Sequence, residues 1–423
     1  MNTTYCGPSV LSLTLFVPYA RIPHAGGEYV YRHYAQLSET SSLQVIAPRN
    51  ADNEEASLLS SNESYKISLI DRAIQRPTKM NLAWLLTVKY IRGVSLGIDT
   101  ERGVRRSQQI HSLVKDVEFV EFQWTETASL SRYFRKIAPA AIQVLVAHDV
   151  LSQRWGRRLK SETSIRNRIF YFGRFIFSRL AERRRFEAVD RVVVFSQKDA
   201  DLVRQICSTA DIRVINPPLM DSGMLEWSRT KTKTKSKTTP APPIVLFTGA
   251  LSRIENHEAI VWFINEVWED LKAEIPNCVL MIAGAGPQPD LVELTENHVD
   301  IVVTGRVKDL APYYKDADVF ISPMLNGAGV KFKNITAMLW GVPILSTSVG
   351  AEGIGSNDLY LNVTDNTSEF LESLSSALKD SELRRSVSAR AQRWAFSKYG
   401  DAQFANELQR LYDPSTSAFS VSE

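Results

Sequence analysis

The run Asn326-Gly327-Ala328-Gly329-Val330-Lys331-Phe332-Lys333 combines the residue types that hold an anion. Two glycines let a phosphate approach the backbone, and two lysines follow where a helix is expected to begin. Cations at a helix N-terminus oppose its dipole, an oddity that an anionic ligand resolves. A turn followed by two solvated lysines is the plain alternative. Gly26-Gly27 lies between the first expected strand and a helix, where it either admits a diphosphate or sugar or is a flexible turn. Gly284-Ala285-Gly286 opens like a dinucleotide fingerprint, but Pro289 stands where the third glycine belongs, which argues against a nicotinamide or flavin site. His148 directly follows an expected strand, so it is either a polar ligand contact or local structure. The other histidines (His24, His33, His111, His257, His298) form no metal-binding cluster, and neither a G-x-S-x-G elbow nor a P-loop occurs.

These residues need elements to place them. Short β-branched runs alternate with helical stretches, the pattern of parallel sheets flanked by helices. In the C-terminal half the expected strands are 244–248, 279–283, 300–304, 319–323 and 344–347. Helices are expected over 259–271, with Ile260, Phe263, Ile264 and Val267 on one face, and over 330–340, stopped by Gly341 and Pro343. Each strand ends in a turn-prone loop, the end at which open α/β sheets bind ligands. In the N-terminal half strands are expected at 13–17, 43–47, 117–122, 143–147 and 191–195, with a helix around 29–37. Residues 51–114 are poorly patterned and read as helix and loop. The Lys231–Lys237 stretch and the residues to Pro243 read as a mobile linker rather than a nucleic-acid arm.

Composition sets the outer limits. The chain has 423 residues, 44% apolar and 23% charged, as in an ordinary soluble protein of two or three domains. Lys+Arg 50 against Asp+Glu 47 gives a net charge of +3, too balanced for a nucleic-acid binder. Cys6, Cys207 and Cys278 are far apart, so neither disulfides nor zinc is indicated and a reducing cytoplasm fits. No apolar run reaches the ~18 residues of a membrane span, and the run from Val10 reads as a strand, not a signal peptide. One segment is strongly basic: from Arg154 to Arg185, ten arginines and Lys160 face only Glu162 and Glu182. Ile165, Ile169, Phe172, Ile176 and Leu180 recur there at helical spacing, as in a helix lying on an anionic membrane or covering a core.

Taken together, the motifs resemble the retaining nucleotide-sugar glycosyltransferases of family four (glycosyl transferases group 1). The resemblance is strongest from Val245 to Ile354. It rests on Gly249, Asn256-His257-Glu258-Ala259, Ala283 to Pro287, Thr304-Gly305-Arg306-Val307, Pro323 to Gly329, and Ser346 to Gly353. It extends more faintly to Pro23–Gly27, His148-Asp149-Val150, Phe186-Glu187 and Ser196 to Asp199.

This resemblance implies a GT-B fold: α/β, with two Rossmann-like domains facing a cleft and C-terminal helices (381–397 and 402–411) crossing back to the N-terminal domain. The implied domains are 1–215 with 398–423 packed on it, a 216–243 linker, and a donor-binding domain over 244–397. The implied activity is a hexosyltransferase acting without a bound metal, moving sugar from a UDP- or GDP-sugar to a glycan or lipid-linked acceptor with retention. Surface or extracellular polysaccharide synthesis is the implied setting, in the cytoplasm or peripherally at the inner face of the membrane. His148, Arg253 and Lys333 form the implied catalytic set, with His148 at the transferred sugar. Gly26, Gly27, Gly249, Arg306, Val307, Gly327, Gly329, Val330, Lys331 and Thr336 form the implied donor-binding set. Arg306 and Val307 lie beside the base in that picture, and Gly329 and Lys331 to Lys333 hold the diphosphate.

The chain also departs from the family. The usual pair of glutamates eight positions apart falls on Ala328 and Thr336, and the usual basic pair falls on Ala250 and on Glu255 or Asn256, with Arg253 close by. A non-catalytic GT-B subunit that binds a partner glycosyltransferase or a glycan is the alternative these departures support. A GT-B epimerase or phosphorylase is a third, although no cofactor-lysine site is evident for the latter.

Overall fold

The computed structural model describes residues 7–20, 22, 24–60, 63–74, 78–234 and 242–416. The chain divides into two compact units, one reaching Pro218 and resuming at Ala402, the other spanning Leu219–Asp401. Cys6 and the part of the Lys/Thr-rich stretch after residue 234 lie outside the described residues.

The first unit holds a parallel sheet of β1 (Ser9–Leu13), β2 (Ser42–Pro48), β3 (Lys66–Ile70), β4 (Phe119–Gln123), β5 (Ile142–Val146), β6 (Arg191–Val194) and β7 (Ile212–Val214). Their order is β3-β2-β1-β4-β5-β6-β7, so the winding reverses between β1 and β4. β4 and β6 are buried along their full length, as expected of strands covered on both faces. The first strand ends at Leu13, earlier than the 13–17 that the apolar run suggests. Val17 is buried as loop, its N–H donating to Asn53 Oδ1 at 3.0 Å. β3 is an addition, inside a stretch that read as helix and loop alone.

The second unit holds β8 (Ile244–Thr248), β9 (Val279–Ala283), β10 (Ile301–Gly305), β11 (Val319–Ser322), β12 (Ile344–Ser346) and β13 (Asn362–Val363). All neighbours are parallel, in the order β10-β9-β8-β11-β12-β13, and here the winding reverses between β8 and β11. The helix expected over 259–271 starts earlier, at Ile254. It passes through a π-helical turn at Ile264–Trp268 that seats Trp268 in the core, and continues over Glu269–Glu274. The helix expected over 330–340 is shorter, Phe332–Leu339, which leaves Val330 and Lys331 in the loop.

Residues 222–234, read as linker, are helical (Ser222–Thr234), and Met224 and Trp227 pack into the second unit's core. Of the two final helices, Ser381–Lys398 stays in the second unit, with Ala391 and Ala395 buried in that same core. Only Asp401–Leu411 joins the first unit. Its Phe404 ring meets those of Tyr29 and His33 at 6.1 and 5.8 Å, and Arg191 donates to the Leu411, Asp413 and Thr416 carbonyls.

Candidate functional site

In the second unit, the loops after β8 and β11 flank the point where the winding reverses, the position at which open α/β sheets leave a crevice for ligands. Backbone meets backbone closely there. A Cβ on Gly284 would lie 1.8 Å from the Gly249 carbonyl oxygen, so that position admits glycine alone. Gly249, Gly327 and Gly329 have φ of +153°, +123° and +70°, which L side chains rarely adopt. The sequence thus builds two loops that can bend tightly at the strand ends.

Three cations converge on this end of the sheet. Lys333 lies in the first turn of Phe332–Leu339, with Nζ 4.0 Å from the Phe247 ring centroid and 3.0 Å from Asn256 Oδ1. Lys331, just before that helix, donates to Gly329 O at 2.7 Å and pairs with Glu352 at 3.1 Å, both side chains nearly buried. Arg253 heads the helix Ile254–Phe263 with its side chain 62% exposed, its Nε 3.9 Å from the buried Glu255 carboxylate. Burial, then repulsion from Lys331 and Arg253, holds the Lys333 ammonium well below the ordinary lysine range. Clustered, partly desolvated cations mark a candidate anion site, with Glu352 and Glu255 already facing two of the three.

The other residues expected on the donor side lie just past β10 and within the helix Phe332–Leu339. Gly305 ends β10 with φ +64°, followed by exposed Arg306 and half-buried Val307. The Thr336 hydroxyl is engaged by its own helix, donating to Phe332 O at 3.0 Å.

In the first unit the winding reverses between β1 and β4, and His148 stands just past β5. Its ring stacks on Trp124 at 4.2 Å and 16° and meets Tyr29 and Phe195 edge-on at 5.1 and 5.2 Å. Its Nε2 lies 3.0 Å from Gln123 Oε1. Burial, reinforced by His33 and His24 against the attraction of Glu121, lowers the His148 pKa to about 3, so the ring is neutral. Gly26 and Gly27 are not a turn before a helix: they sit inside the first turn of Ala25–Thr40, where His24 Nδ1 accepts from the Gly27 N–H at 2.9 Å. A Cβ on Gly26 would lie 3.2 Å from Trp124 Cζ2 and 3.5 Å from His148 Nδ1.

Sequence reasoning missed Gln123, Trp124 and the pairing of Lys331 with Glu352. Trp124 has φ +68°, strained for a residue with a side chain, and lies flat on the histidine. Nothing in its neighbours signals that conformation. Glu352 had a signal, as an acid in the loop after β12 that could answer a lysine.

The basic segment forms two helices, Leu151–Ser161 and Ile165–Phe186. Ile165, Ile169, Phe170, Phe172 and Leu180 are exposed on the second. The helix Lys79–Ile91 joins them there, Tyr90 donating its hydroxyl to Phe170 O at 3.0 Å. None of its residues is buried, and Met80, Leu82, Trp84, Leu86 and Ile91 are exposed. No described helix is long and apolar enough to cross a membrane. Among the described residues, Cys207 and Cys278 are free thiols, and no cluster of three or more His, Cys, Asp or Glu side chains could hold a metal ion.

This architecture, two parallel sheets each wound in both directions, is that of GT-B glycosyltransferase structures. Within it, residues 242–380 match the family model described as Glycosyl transferases group 1. Sucrose-phosphate synthase from Thermosynechococcus elongatus superposes with a TM-score of 0.70 at 14% identity, over 96% of this chain and 98% of that one. Anabaena HepE, in complex with UDP and glucose, superposes with a TM-score of 0.63 at 12% identity, over 96% and 99%. In sequence, the chain is 36% identical over 120 residues to an uncharacterized 44.6 kDa protein in the cps region of Klebsiella pneumoniae. That match covers 27% of this chain and 31% of the Klebsiella protein, about a third of its length.

Proposed function

We propose that the protein is a retaining hexosyltransferase that moves a sugar from a UDP- or GDP-sugar to a glycan or lipid-linked acceptor in surface or extracellular polysaccharide synthesis. The observation that carries this reading is the convergence of Arg253, Lys331 and Lys333 at the β8/β11 reversal, where burial and the two neighbouring cations disfavour the Lys333 ammonium. In sugar transfer the leaving diphosphate gathers negative charge, and preorganised cations that meet it lower the barrier. Gly249, Gly327, Gly329 and Val330 are assigned to its backbone side, Arg306 and Val307 to the base, and Thr336 to the ribose. His148 is assigned to the transferred sugar, and Gly26 and Gly27 to the donor. The match to the group 1 family model supports the reaction class, and the UDP and glucose held by HepE support the donor class. The cps-region relative supports the setting.

The exposed apolar side chains of Lys79–Ile91 and Ile165–Phe186, among arginines and lysines, support peripheral contact with an anionic membrane, at the inner face where a lipid-linked acceptor resides. The test is to follow nucleotide-sugars by 31P NMR, and the anomeric proton of the product by 1H NMR, with lipid-linked and free glycan acceptors present. Release of one nucleoside diphosphate, with the product anomer unchanged, is expected. One observation favours a second reading, the non-catalytic subunit: the glutamate positions hold Ala328 and a Thr336 already bonded within its helix. Diphosphate binding with no release under any condition would establish that reading instead.

A further inference from the structure

Beneath His148 lies a buried polar chain. Glu121, in β4, has no exposed surface. Its Oε1 accepts from Ser12 Oγ at 2.6 Å, and its Oε2 is bonded to His33 Nε2 at 2.7 Å and to the Tyr412 hydroxyl. Burial raises this carboxyl, but attraction to His33 and these hydrogen bonds outweigh it and hold the pKa at about 2. The group is therefore an ionised carboxylate that can only accept hydrogen bonds.

That fixes everything downstream. Gln123, also fully buried, lies on the same face two residues along the strand, with Nε2 donating to Glu121 Oε1 at 2.9 Å. Were its amide turned over, an oxygen would face a carboxylate. Held this way, its Oε1 faces His148 Nε2 and needs a donor. A neutral imidazole carries one proton, so placing it on Nε2 leaves Nδ1 as a bare acceptor.

We infer that Glu121 and Gln123 are positioning residues: they fix His148 as the Nε2–H tautomer and present Nδ1, beside Gly26, as a hydrogen-bond acceptor for a hydroxyl of the transferred sugar. The sugar assignment rests on the proposed function; the tautomer does not. Tyr412, on the returning C-terminal segment, belongs to the same device through its bond to Glu121. The opposite tautomer could offer a sugar only a donor and would select a different hydroxyl orientation.

The test is two-bond 1H–15N correlation NMR on the full-length protein with 15N-labelled histidine, His148 being assigned from the signal lost in His148→Asn. The ligand-free protein is expected to show a protonated Nε2 and an unprotonated Nδ1. Gln123→Met, similar in size but without an acceptor, is expected to lose this preference and show both tautomers. Gln123→Glu is expected to keep it, since a shared proton bonds its carboxyl to Glu121 and leaves an oxygen for Nε2. An Nδ1–H tautomer in the wild type, or an unchanged preference in Gln123→Met, would overturn the inference. If Gln123→Met does not fold, the wild-type spectrum and Gln123→Glu still decide it. Absence of donor turnover would defeat the functional reading and leave the tautomer result standing.

Discussion

Replacing Lys333 with methionine should move stability and donor affinity in opposite directions. In the ligand-free protein the ammonium is desolvated and repelled by Lys331 and Arg253. Its pKa is lower in the folded than in the unfolded chain, so its penalty is absent above the ordinary lysine pKa and grows as pH falls towards neutrality. Each pKa unit is worth about 1.4 kcal/mol. Against this, the contact with the Phe247 ring at 4.0 Å returns about 0.5–2 kcal/mol. Methionine keeps the apolar stem and removes the charge. Because burial and repulsion hold the ammonium well below the ordinary lysine range despite that contact and the Asn256 bond, Lys333→Met is expected to raise the Tm of the ligand-free protein. Binding should change the other way: losing one charge-assisted phosphate contact costs about 1.5–3 kcal/mol, or about 10- to 150-fold in Kd for UDP or GDP. Scanning calorimetry of the free protein and isothermal titration of the diphosphate read the two effects separately. A lower Tm with unchanged affinity would show that Lys333 is a structural cation, and the reasoning would be wrong.

Other residues give independent checks. Burial raises the Glu182 carboxyl to about 8, so its contribution to stability, present below the unfolded carboxyl pKa, is lost as pH rises towards 8. Glu182→Gln should therefore flatten the Tm–pH profile and raise Tm at pH 8 and above; an unchanged slope would refute the shift. Gly284→Ala drives a methyl into the Gly249 carbonyl and should destabilise the second unit by about 1–3 kcal/mol in urea unfolding, whereas a neutral effect would mean the two loops do not touch. Ile169→Glu with Phe172→Glu should abolish co-flotation with anionic liposomes at low salt, since both side chains are exposed. Equal flotation of wild type on neutral and anionic vesicles would remove the electrostatic part of that claim. His148→Ala should lower turnover more than donor affinity, and an equal loss of both would take His148 away from the sugar.

The parts of the fold legible in the sequence are those where local and global demands agree. β8 and β9 begin and end where their apolar runs do, because a strand buried on both faces in a parallel sheet is apolar throughout and stops at a turn. β3 lay hidden because Lys66–Ile70 is an edge strand that buries Ile70 alone, leaving little pattern to read. The helix Lys79–Ile91 was illegible for the opposite reason: it is apolar with no buried residue, so no periodic face marks it. At the site, Lys331 and Lys333 could be singled out because cations at a helix start conflict with the dipole. Gln123 and Trp124 could not, since their roles come from the pairing of β4 with β5, which brings His148 beside them.

The central claim is that the strand ends of the second unit hold a nucleoside diphosphate. Isothermal titration of UDP, GDP, ADP and TDP into the wild-type protein and into Lys331→Ala/Lys333→Ala tests it most directly. One of the four is expected to bind the wild type at one site per chain, and the double variant, still folded, is expected to lose that binding by two orders of magnitude or more. Equal affinity in both proteins, or no binding of any diphosphate to the wild type, would contradict the account.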